Sequence, residues 1–425
     1  MKEFRVVVAH PGRQHSYRVA KALKCEGMLY KYVTTVYNKD SSLLMRIVKI
    51  FLNRDNYQRA QKRKCAGIED NDVVQICEIE GLLLLALQRL DYTRYFVNKY
   101  QRYISNKFQK KLADFVISNN VDAVISYDTN SSLLFFILRK KAPNVTLIMD
   151  NAHPNRHYLY HSYHENWSCV GDFSRTLQPC GYIMNETDSA IFGEEAKKAH
   201  YHIVASSYSM KALEYDGIPA ERIFKIPYGV DADRFVSSQR IYSRDRIQVL
   251  FVGEINQRKG IRQVLDAAKM IDSPEVTFNI VGLGRELCSD LYEPYVQYVN
   301  FLGRLPYEEL LNQFASSHLF VFPTMGEGFG LVLLEAMAAG LPVITTNNCA
   351  GSDIVTDGEN GFIIPVGDTE QLVNKIMWCK IHPEELSRMS KKAVAISHDY
   401  TWERYEKGIR ECIYTIENSK DGNHK

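Results

Sequence analysis

The stretch "MGEGFGLVLLEAMAAGLPVITT", Met325–Thr346, decides how the second half of this chain folds. A strand-like run precedes it, and a glycine-rich turn leads into the apolar helical pattern "LVLLEAMAA". Gly340 then ends the helix and Pro342 begins the next strand, and a glycine followed closely by a proline is common at the end of a helix. The pattern predicts a strand–turn–helix–strand unit whose turn lies at the carboxyl end of a parallel strand, where open α/β sheets bind ligands.

Similar units occur on both sides of this stretch, because short β-branched runs alternate with longer helical patterns. This alternation predicts an α/β fold with parallel sheets that helices cover on both faces. A polar segment at residues 236–246 separates two such sets. We predict one domain over residues 1–236 and another over 246–395, with a terminal helix near 400–419. The expected strands are Phe4–His10, Val121–Tyr127, Asn144–Asp150, Tyr201–Ser206, Ile247–Glu254, Val276–Gly282, His318–Thr324 and Leu341–Thr346.

The composition is that of a globular protein, with 45% hydrophobic and 24% charged residues in 425. A net charge of only +2 gives no case for a nucleic-acid partner. The nine cysteines are scattered and form no C-x-x-C pair, which favours reduced thiols over a disulfide scaffold or structural zinc. The start shows no signal-peptide pattern, and no apolar run approaches the length of a membrane span. We therefore expect a cytoplasmic location.

Two glutamates of the opening stretch, Glu327 and Glu335, have seven residues between them. On the predicted helix, Glu335 has only apolar neighbours three and four positions away. A carboxylate near a buried face needs hydrogen-bond donors, since an unpaired buried charge costs several kcal/mol. The two hydroxyls of a nucleotide ribose would satisfy that need.

Two cations, Arg258 and Lys259, follow the strand Ile247–Glu254 in the loop "EINQRKGI". Positive side chains at the carboxyl end of a strand can hold a diphosphate. The glycine-rich turn after the strand His318–Thr324 adds free N–H groups at a helix N-terminus, which favour anions. The alternative is an ordinary glycine-rich turn beside a solvated helix start.

Together these motifs resemble a known enzyme family. "GVDADRF", "RKGI", "IVGLG", "FLGRLPYEEL" and "EGFGLVLLEAMAAGLPVI" occur in the order and rough spacing of the retaining glycosyltransferases of family 4, which have the GT-B fold. The Glu–seven residues–Glu motif is the signature of that family. The resemblance is specific over about residues 200–370 and looser in the N-terminal half.

The resemblance implies two Rossmann-like domains that face each other across a cleft, with the terminal helix crossing back to the first. The second domain would bind a nucleotide-diphosphate sugar, and the first a glycan or lipid-linked acceptor, as in cell-surface polysaccharide or glycoconjugate synthesis. No cofactor or metal is expected. The implied catalytic residues are His153, Lys259 and Glu327. The implied donor-binding residues are Gly12, Arg258, Lys259, Arg304, Leu305, Glu327, Gly328, Phe329, Gly330, Leu331 and Glu335.

The chain departs from the family at one position. An arginine usually follows the glycine of the first strand of the second domain, and here that residue is Glu254. Arg258 is the expected substitute. In the N-terminal half, Gly12 would let the backbone approach the donor. His153 would be the cleft histidine, and its alternative is an exposed loop histidine.

Other readings of the same residues remain open. A paired-carboxylate glycosidase is disfavoured, because Glu335 lies well inside a helix. The rivals are an inactive sugar-nucleotide binder and another GT-B enzyme, such as a phosphorylase or an epimerase. "GLGRE", Gly282–Glu286, is a broken dinucleotide fingerprint. Weak metal patterns occur at Asp70–Asp72, at Asp231–Asp233 and at the histidines His153, His157, His161 and His164.

The segment Gln88–Leu112 is basic and aromatic at helical spacing. Its cations are Arg89, Arg94, Lys99, Arg102, Lys107, Lys110 and Lys111. Such helices can lie on anionic bilayers, so Arg89–Leu112 is a hypothetical site of peripheral contact with the inner membrane face. The alternative is a solvated helix that packs its aromatic side chains inward.

Overall fold

The computed structural model describes residues 4–12, 14–42, 63–90, 95–178, 185–235 and 241–422, together with the single residues 57, 60, 61 and 181. Residues 236–240 of the predicted boundary segment lie outside the described residues. So do residues 91–94 of the basic segment, which include Arg94, and the side chain of Arg89 is likewise not described.

The first sheet is parallel throughout, with the strand order β3-β2-β1-β4-β5-β6-β7. Its middle strands are buried along their whole length, as expected of a sheet with helices on both faces. Its strands are β1 Val6–Ala9, β2 Leu29–Thr34, β3 Val73–Gln75, β4 Ala123–Tyr127, β5 Thr146–Asn151, β6 Tyr201–Val204 and β7 Ile223–Lys225.

The second sheet is also parallel and has the order β10-β9-β8-β11-β12-β13. Its core combines β-branched and aromatic side chains that are fully buried. The strands are β8 Ile247–Val252, β9 Val276–Val281, β10 Asn300–Gly303, β11 Leu319–Phe322, β12 Val343–Thr345 and β13 Gly361–Ile363.

Helices connect the strands of both sheets. In the first half they are α1 Ser16–Cys25, α2 Glu78–Leu90, α3 Tyr95–Ser118, α4 Ser132–Lys141, α5 Arg156–Glu165, α6 Glu186–Ala196 and α7 Ser207–Tyr215. In the second half they are α8 Ile261–Ile271, α9 Ser289–Tyr292, α10 Tyr307–Ser316, α11 Leu331–Ala338, α12 Gly351–Ile354, α13 Thr369–Ile381, α14 Pro383–Asp399 and α15 Trp402–Gly422. Within the described ranges, no helix has the length and apolarity that crossing a bilayer requires.

All eight predicted strands are present, each shorter than its apolar run. The sequence analysis missed β2, β3, β7, β10 and β13. Four of these lie at sheet edges, where one side of the strand stays unpaired and short half-exposed runs suffice. The missed inner strand, β2, has the mixed pattern "LYKYVT".

The first six strands of each sheet are connected in the same way. In the first sheet the chain runs from β1 outward to β3 and then returns to β4, on the other side of β1. In the second sheet it runs from β8 outward to β10 and then returns to β11, on the other side of β8. The loops after β1 and β4 therefore diverge to opposite faces, as do those after β8 and β11. Each divergence opens a crevice at the carboxyl ends of the strands, which is where such sheets bind ligands. The fold thus offers two crevices, one in each sheet.

The last helix returns to the first sheet, as predicted. Glu406 on α15 forms ion pairs with two residues of α1, Arg18 at 3.5 Å and Lys21 at 3.2 Å. Gly229 lies where the chain crosses, because a Cβ atom there would be 2.2 Å from the carbonyl carbon of Thr401. The neighbouring amide of Val230 donates to the carbonyl of Tyr400 at 2.8 Å, which fixes this approach.

The crossing predicts that Gly229→Ala will destabilise the protein by about 2 kcal/mol, because the added methyl group overpacks against backbone that cannot move aside. Urea unfolding followed by circular dichroism measures the effect. Gly253→Ala is the matched control, since its added Cβ would meet its nearest neighbours at 3.8 Å. Equal stability of the two variants would contradict the close approach.

Candidate functional site

The loop after β8 carries Arg258 and Lys259 and is tied to the loop after β11. The carbonyl of Arg258 accepts hydrogen bonds from the Thr324 hydroxyl at 2.8 Å and from the Met325 amide at 2.9 Å. The side chain of Asn256 accepts from the Lys259 amide at 3.3 Å. These bonds place both cations in the crevice between β8 and β11.

Gly260 makes this approach possible. Its φ is +73°, and a Cβ atom there would lie 2.0 Å from the carbonyl oxygen of Pro323. A residue with a side chain would be strained by that φ and would also collide with the neighbouring loop. The glycine of "RKGI" is therefore a packing requirement at the site.

Glu327 forms ion pairs with both Arg258 and Lys259. The three side chains are nearly buried, with exposures of 13%, 9% and 12%. Burial acts to raise the pKa of Glu327, but the charges of Lys259 and Arg258 outweigh it and hold that pKa well below its usual range. Burial lowers the pKa of Lys259 in spite of this partner. Sequence reasoning did not predict that Glu327 would bind these cations.

Glu254, the residue at the position of the missing arginine, lies beside this cluster. Its carboxylate is 4.0 Å from the guanidinium of Arg258 and is 36% exposed. The crevice thus holds two buried cations against one buried and one half-exposed carboxylate. The buried part alone carries an excess of positive charge, and desolvated charge of this kind is costly without a counterion.

The turn between Glu327 and α11 supplies further donors. Gly330 caps the helix in the left-handed region, at φ +85°. Among the described residues, none accepts a hydrogen bond from the backbone N–H groups of Gly328, Phe329 or Gly330. Successive unpaired N–H groups at a helix N-terminus favour an anion. They lie directly after Glu327, and Leu331 begins the helix beside them.

Gly328 also joins the two halves of the molecule. A Cβ atom on it would be 2.1 Å from the carbonyl oxygen of Ala152, in the loop after β5. Its own carbonyl accepts hydrogen bonds from the hydroxyls of Ser206 and Ser209, at the start of α7. The glycine-rich turn is therefore held against the first sheet, and the crevice of the second sheet faces it.

His153 lies on the first-sheet side of this contact. It is 40% exposed, and its Nδ1 atom is 3.6 Å from the carboxylate of Asp128. It is also near enough to Glu327 for its charge to help lower the pKa of that carboxyl. The structure thus brings His153, Arg258, Lys259, Glu327 and Gly328 together.

Gly12 lies at the crevice of the first sheet, where its amide donates to Nδ1 of His10 at 2.9 Å. It belongs to the loop after β1, on the side of the first sheet that faces the cluster. Nearby, the Nε2 atom of His15 lies 2.9 Å from the buried carboxylate of Asp150.

The sequence analysis missed His15 and Asp150, together with Asp128 and Tyr228. The rings of His15 and Tyr228 are 4.6 Å apart, and Tyr228 in turn lies 5.4 Å from Phe329 of the glycine-rich turn. The signal that could have revealed the two aspartates is their place directly after or at the end of a buried strand.

Arg304 and Leu305 directly follow β10, at the carboxyl edge of the second sheet. Arg304 is exposed and Leu305 is half-buried. Because β9 separates β10 from β8, these residues lie to one side of the cation cluster. No hydrogen bond or ion pair in the described part of the chain links them to it.

Glu335 lies in the second turn of α11, among the apolar residues that the sequence indicated. In the described ranges its carboxylate has no hydrogen-bond or ion-pair partner. Burial without a partner raises its pKa from 4.5 to about 7. The two glutamates of the motif therefore have opposite electrostatic surroundings.

The histidines of the weak metal pattern do not converge. His157 and His161 meet on α5 with their Nε2 atoms 3.4 Å apart, and Nδ1 of His157 lies 2.6 Å from Asp216. His164 stacks on Trp167 instead. Within the described residues, no group of three or more histidine, cysteine, aspartate or glutamate side chains could hold a metal ion.

Comparison with known families gives a match to the model "Glycosyl transferases group 1" over residues 235–395. Residues of this chain are 32% identical, over 181 positions, to a phosphatidyl-myo-inositol mannosyltransferase of Mycobacterium leprae, covering 41% of this chain and 47% of that one. They are 29% identical over 184 positions to the D-rhamnosyltransferase WbpZ of Pseudomonas aeruginosa, covering 41% and 48%. The matched region spans about half the length of these relatives.

Two solved structures share the whole architecture. A sucrose-phosphate synthase from Thermosynechococcus elongatus superposes with a TM-score of 0.66 at 17% identity, covering 98% of this chain and all of that one. HepE from Anabaena in complex with UDP-glucose gives 0.62 at 16% identity, covering 97% and 99%. The predicted fold class, two facing Rossmann-like domains with a returning terminal helix, is confirmed.

The surroundings of Glu335 make a prediction about stability. Its carboxyl ionises near pH 4.5 in the unfolded chain and near pH 7 in the folded one. Its contribution to folding is therefore complete below pH 4.5 and is lost as the pH rises through 7. Wild type should lose about 2 kcal/mol relative to Glu335→Gln over this range, after a reduction for partial exposure.

Urea unfolding of both proteins from pH 4.5 to pH 8 measures this difference. Glu411→Gln serves as control, because it makes the same substitution on a side chain that is 65% exposed in its pair with Lys407. A difference between wild type and Glu335→Gln that stays constant from pH 4.5 to pH 8 would show that Glu335 is not shielded from water.

Proposed function

We propose that this protein is a glycosyltransferase. Residues 235–395 match the model of the group 1 glycosyl transferases, and the whole chain has the GT-B fold. It transfers a sugar from a nucleotide-diphosphate sugar to a glycan or lipid-linked acceptor, with retention of configuration, in the synthesis of a polysaccharide or glycoconjugate. The observation that carries the proposal is the buried pair Arg258 and Lys259, which shares Glu327. Beside this pair are three backbone amides that have no acceptor among the described residues.

A diphosphate satisfies each unusual feature of this crevice. Its charge offsets the excess positive charge of Arg258 and Lys259, and its oxygens accept from the free amides of the turn. The loop contacts already hold both cations in the crevice before the donor binds, so the cations themselves need move little to stabilise the leaving diphosphate. Glu327 would then turn from the cations toward hydroxyl groups of the sugar.

The same-face reaction needs no protein nucleophile. The bond from the sugar C1 atom to the diphosphate oxygen breaks, and the bond from C1 to the acceptor oxygen forms on the same side. The proton of the acceptor hydroxyl passes to the departing diphosphate. His153 stands at the first-domain edge of this space, where it can donate a hydrogen bond to the sugar.

In this proposal the carboxylate of Glu335 binds the ribose hydroxyls of the donor. Its carboxyl lacks a protein partner in the described ranges, and its pKa is raised to about 7. A ribose diol supplies two hydroxyl donors, and donors that favour the charged form lower a carboxyl pKa. Arg304 and Leu305, at the edge of the same sheet, would border the nucleobase.

The proposal predicts opposite results for two neighbouring side chains. Lys259→Met should weaken UDP binding at least about tenfold, or about 1.4 kcal/mol, because a charge partner of the diphosphate is lost. Glu327→Ala should bind UDP at least as tightly as wild type, because the carboxylate that competes for both cations is gone, yet its turnover should fall strongly. Calorimetry and sugar-transfer assays measure the two quantities separately.

A thermal-shift panel of UDP-, GDP- and ADP-sugars identifies the donor first, because a ligand of the folded state stabilises it by mass action. Lys269→Met, an exposed lysine of α8, is the matched control and should bind like wild type. Equal, mild effects of Lys259→Met and Glu327→Ala would rule out this site. Donor binding without transfer or hydrolysis across many acceptors would favour the inactive-binder alternative.

Contact with a membrane surface is a further part of the proposal. The helices α2 and α3 pack together and expose the apolar side chains of Ile79, Leu83, Phe96 and Tyr103. Exposed cations of α3, Lys99, Arg102 and Lys110, lie on the same helix pair. Buried Ile104 and Phe108 form the inward face that the alternative reading expects, so α3 has both a packed face and an exposed amphipathic one. Lys107 is less suited to lipid, because it pairs with Glu80.

Charge reversal at Arg102 and Lys110 should therefore abolish binding to vesicles of phosphatidylcholine with phosphatidylglycerol, since each basic residue near an anionic surface contributes about 1 kcal/mol. Reversal of the exposed pair Lys391 and Lys407, in the second half, should leave binding unchanged. Vesicle flotation measures both. Unchanged binding of the first variant rules out contact through α3.

A further inference from the structure

A segment of the first half of the chain reaches across to the loops of the donor crevice. Residues 167–177, here called the bridging segment, follow α5 almost directly. Val170 and Leu177 of this segment are fully buried, and they belong to one apolar cluster with Met325, which begins the glycine-rich turn. The bridging segment therefore contacts the loop after β11, one of the two loops that form the crevice.

The bridging segment is also attached to α8, the helix that follows the two cations. The carbonyl of Cys169 accepts hydrogen bonds from the side chains of Arg262 and Gln263, each at 3.1 Å. Gly171 allows this close approach, because its φ is +51° and a Cβ atom there would lie 2.6 Å from Nη1 of Arg262. The segment is thus held against the second sheet by hydrogen bonds as well as by apolar packing.

Thr176 forms the contact that lies next to the cations in the sequence. Its side chain is buried, and its hydroxyl donates to the carbonyl of Phe173 at 2.6 Å. The same oxygen accepts from the backbone N–H of Gln257 at 2.9 Å. A hydroxyl that donates one bond and accepts another has a fixed orientation. The first half of the chain therefore holds the residue directly before Arg258 by one directed hydrogen bond.

Gln257 connects these contacts into a closed network. It is fully buried, and its side-chain Nε2 atom donates to the Gln263 side chain at 2.9 Å and to the Met325 sulfur at 3.4 Å. Because Gln263 in turn donates to Cys169, hydrogen bonds run from the bridging segment through α8 to Gln257 and back to Thr176. A buried polar network whose members are bonded to one another is rigid.

The network bears on the cations because they share one turn with Gln257. Gln257, Arg258 and Lys259 form a single 3₁₀ turn, so a displacement of the first residue carries the other two with it. A site whose binding-competent state is populated only part of the time binds its ligand more weakly by that fraction. The hydrogen bond from Gln257 to Thr176 keeps this turn in one position before any ligand arrives.

We propose that Thr176 is a positioning residue of the donor site. Through the amide of Gln257 it holds Arg258 and Lys259 where they meet a diphosphate, so a residue of the first half of the chain sets part of the affinity of the second half for the donor. This role rests on the proposed function, because the affinity concerned is that for a nucleotide diphosphate.

Hydrogen exchange tests the first step without any ligand. Thr176→Val keeps the shape of the side chain and removes the acceptor of the Gln257 amide, whereas Thr176→Ser keeps the hydroxyl. Thr415→Val is the matched control, since it makes the same substitution at an exposed position on α15. Mass spectrometry should show faster exchange in the peptide of residues 254–260 for Thr176→Val alone. Peptides of α14 should exchange as in wild type, because they lie outside the network.

Calorimetry on the same four proteins tests the second step. The probe is whichever of UDP, GDP and ADP gives wild type the largest thermal shift. Thr176→Val should bind it about fivefold more weakly, the factor that corresponds to one ordinary hydrogen bond, while Thr176→Ser and Thr415→Val should bind it like wild type. Should valine not fold at this buried position, Thr176→Ala removes the same hydroxyl and should show the same two effects.

Unchanged exchange in residues 254–260 would overturn the inference, and so would faster exchange with unchanged affinity. Equally faster exchange in α14 would make Thr176 a general stabilising residue and would overturn the positioning role as well. The proposed function fails separately. Wild type that binds none of the three diphosphates removes the donor site and the role of Thr176 with it, whereas equal binding by wild type and Thr176→Val removes the positioning role alone.

Discussion

The surplus of buried positive charge at Arg258 and Lys259 is the constraint on which the rest of the site depends. One carboxylate, that of Glu327, neutralises only part of it, and desolvated cations are costly without partners. The chain meets this cost by tying the loops after β8 and β11 together through two hydrogen bonds to the Arg258 carbonyl. The arrangement also places the cations near the backbone N–H groups of Gly328, Phe329 and Gly330, which have no acceptor among the described residues. That combination is what a site for a charged leaving group requires.

The two sheets place this charge in a crevice that faces the first half of the chain. In each sheet the strand order reverses, between β1 and β4 or between β8 and β11, and this reversal opens a crevice at the carboxyl ends of the strands. Gly328 brings them together, because its lack of a side chain lets the turn touch the loop after β5. Tyr228 adds a second link, between the first-sheet histidine His15 and Phe329. The crevice is therefore shaped by contacts between the two halves of the chain as much as by its charged side chains.

Much of the fold could be predicted from sequence, because buried parallel strands leave continuous apolar runs. The edge strands β3, β7, β10 and β13 could not, since short strands paired on one side need no such run. The sequence correctly placed Glu327 in a turn, but it did not reveal that Glu327 pairs with Arg258 and Lys259. That Arg258 would reach Glu327 depends on how two loops, more than sixty residues apart in sequence, approach across the sheet.

The aspartates Asp128 and Asp150 could have been predicted from the sequence, because each lies at the carboxyl end of a buried strand. The spacing of the two motif glutamates has a geometric meaning that only the fold supplies. Glu327 precedes the free amides, and Glu335 is the fifth residue of α11, about 6 Å along the helix from its start. If the proposed donor binds at those amides, Glu327 beside the cations is the carboxylate for its sugar, and Glu335 further along the helix is the carboxylate for its ribose.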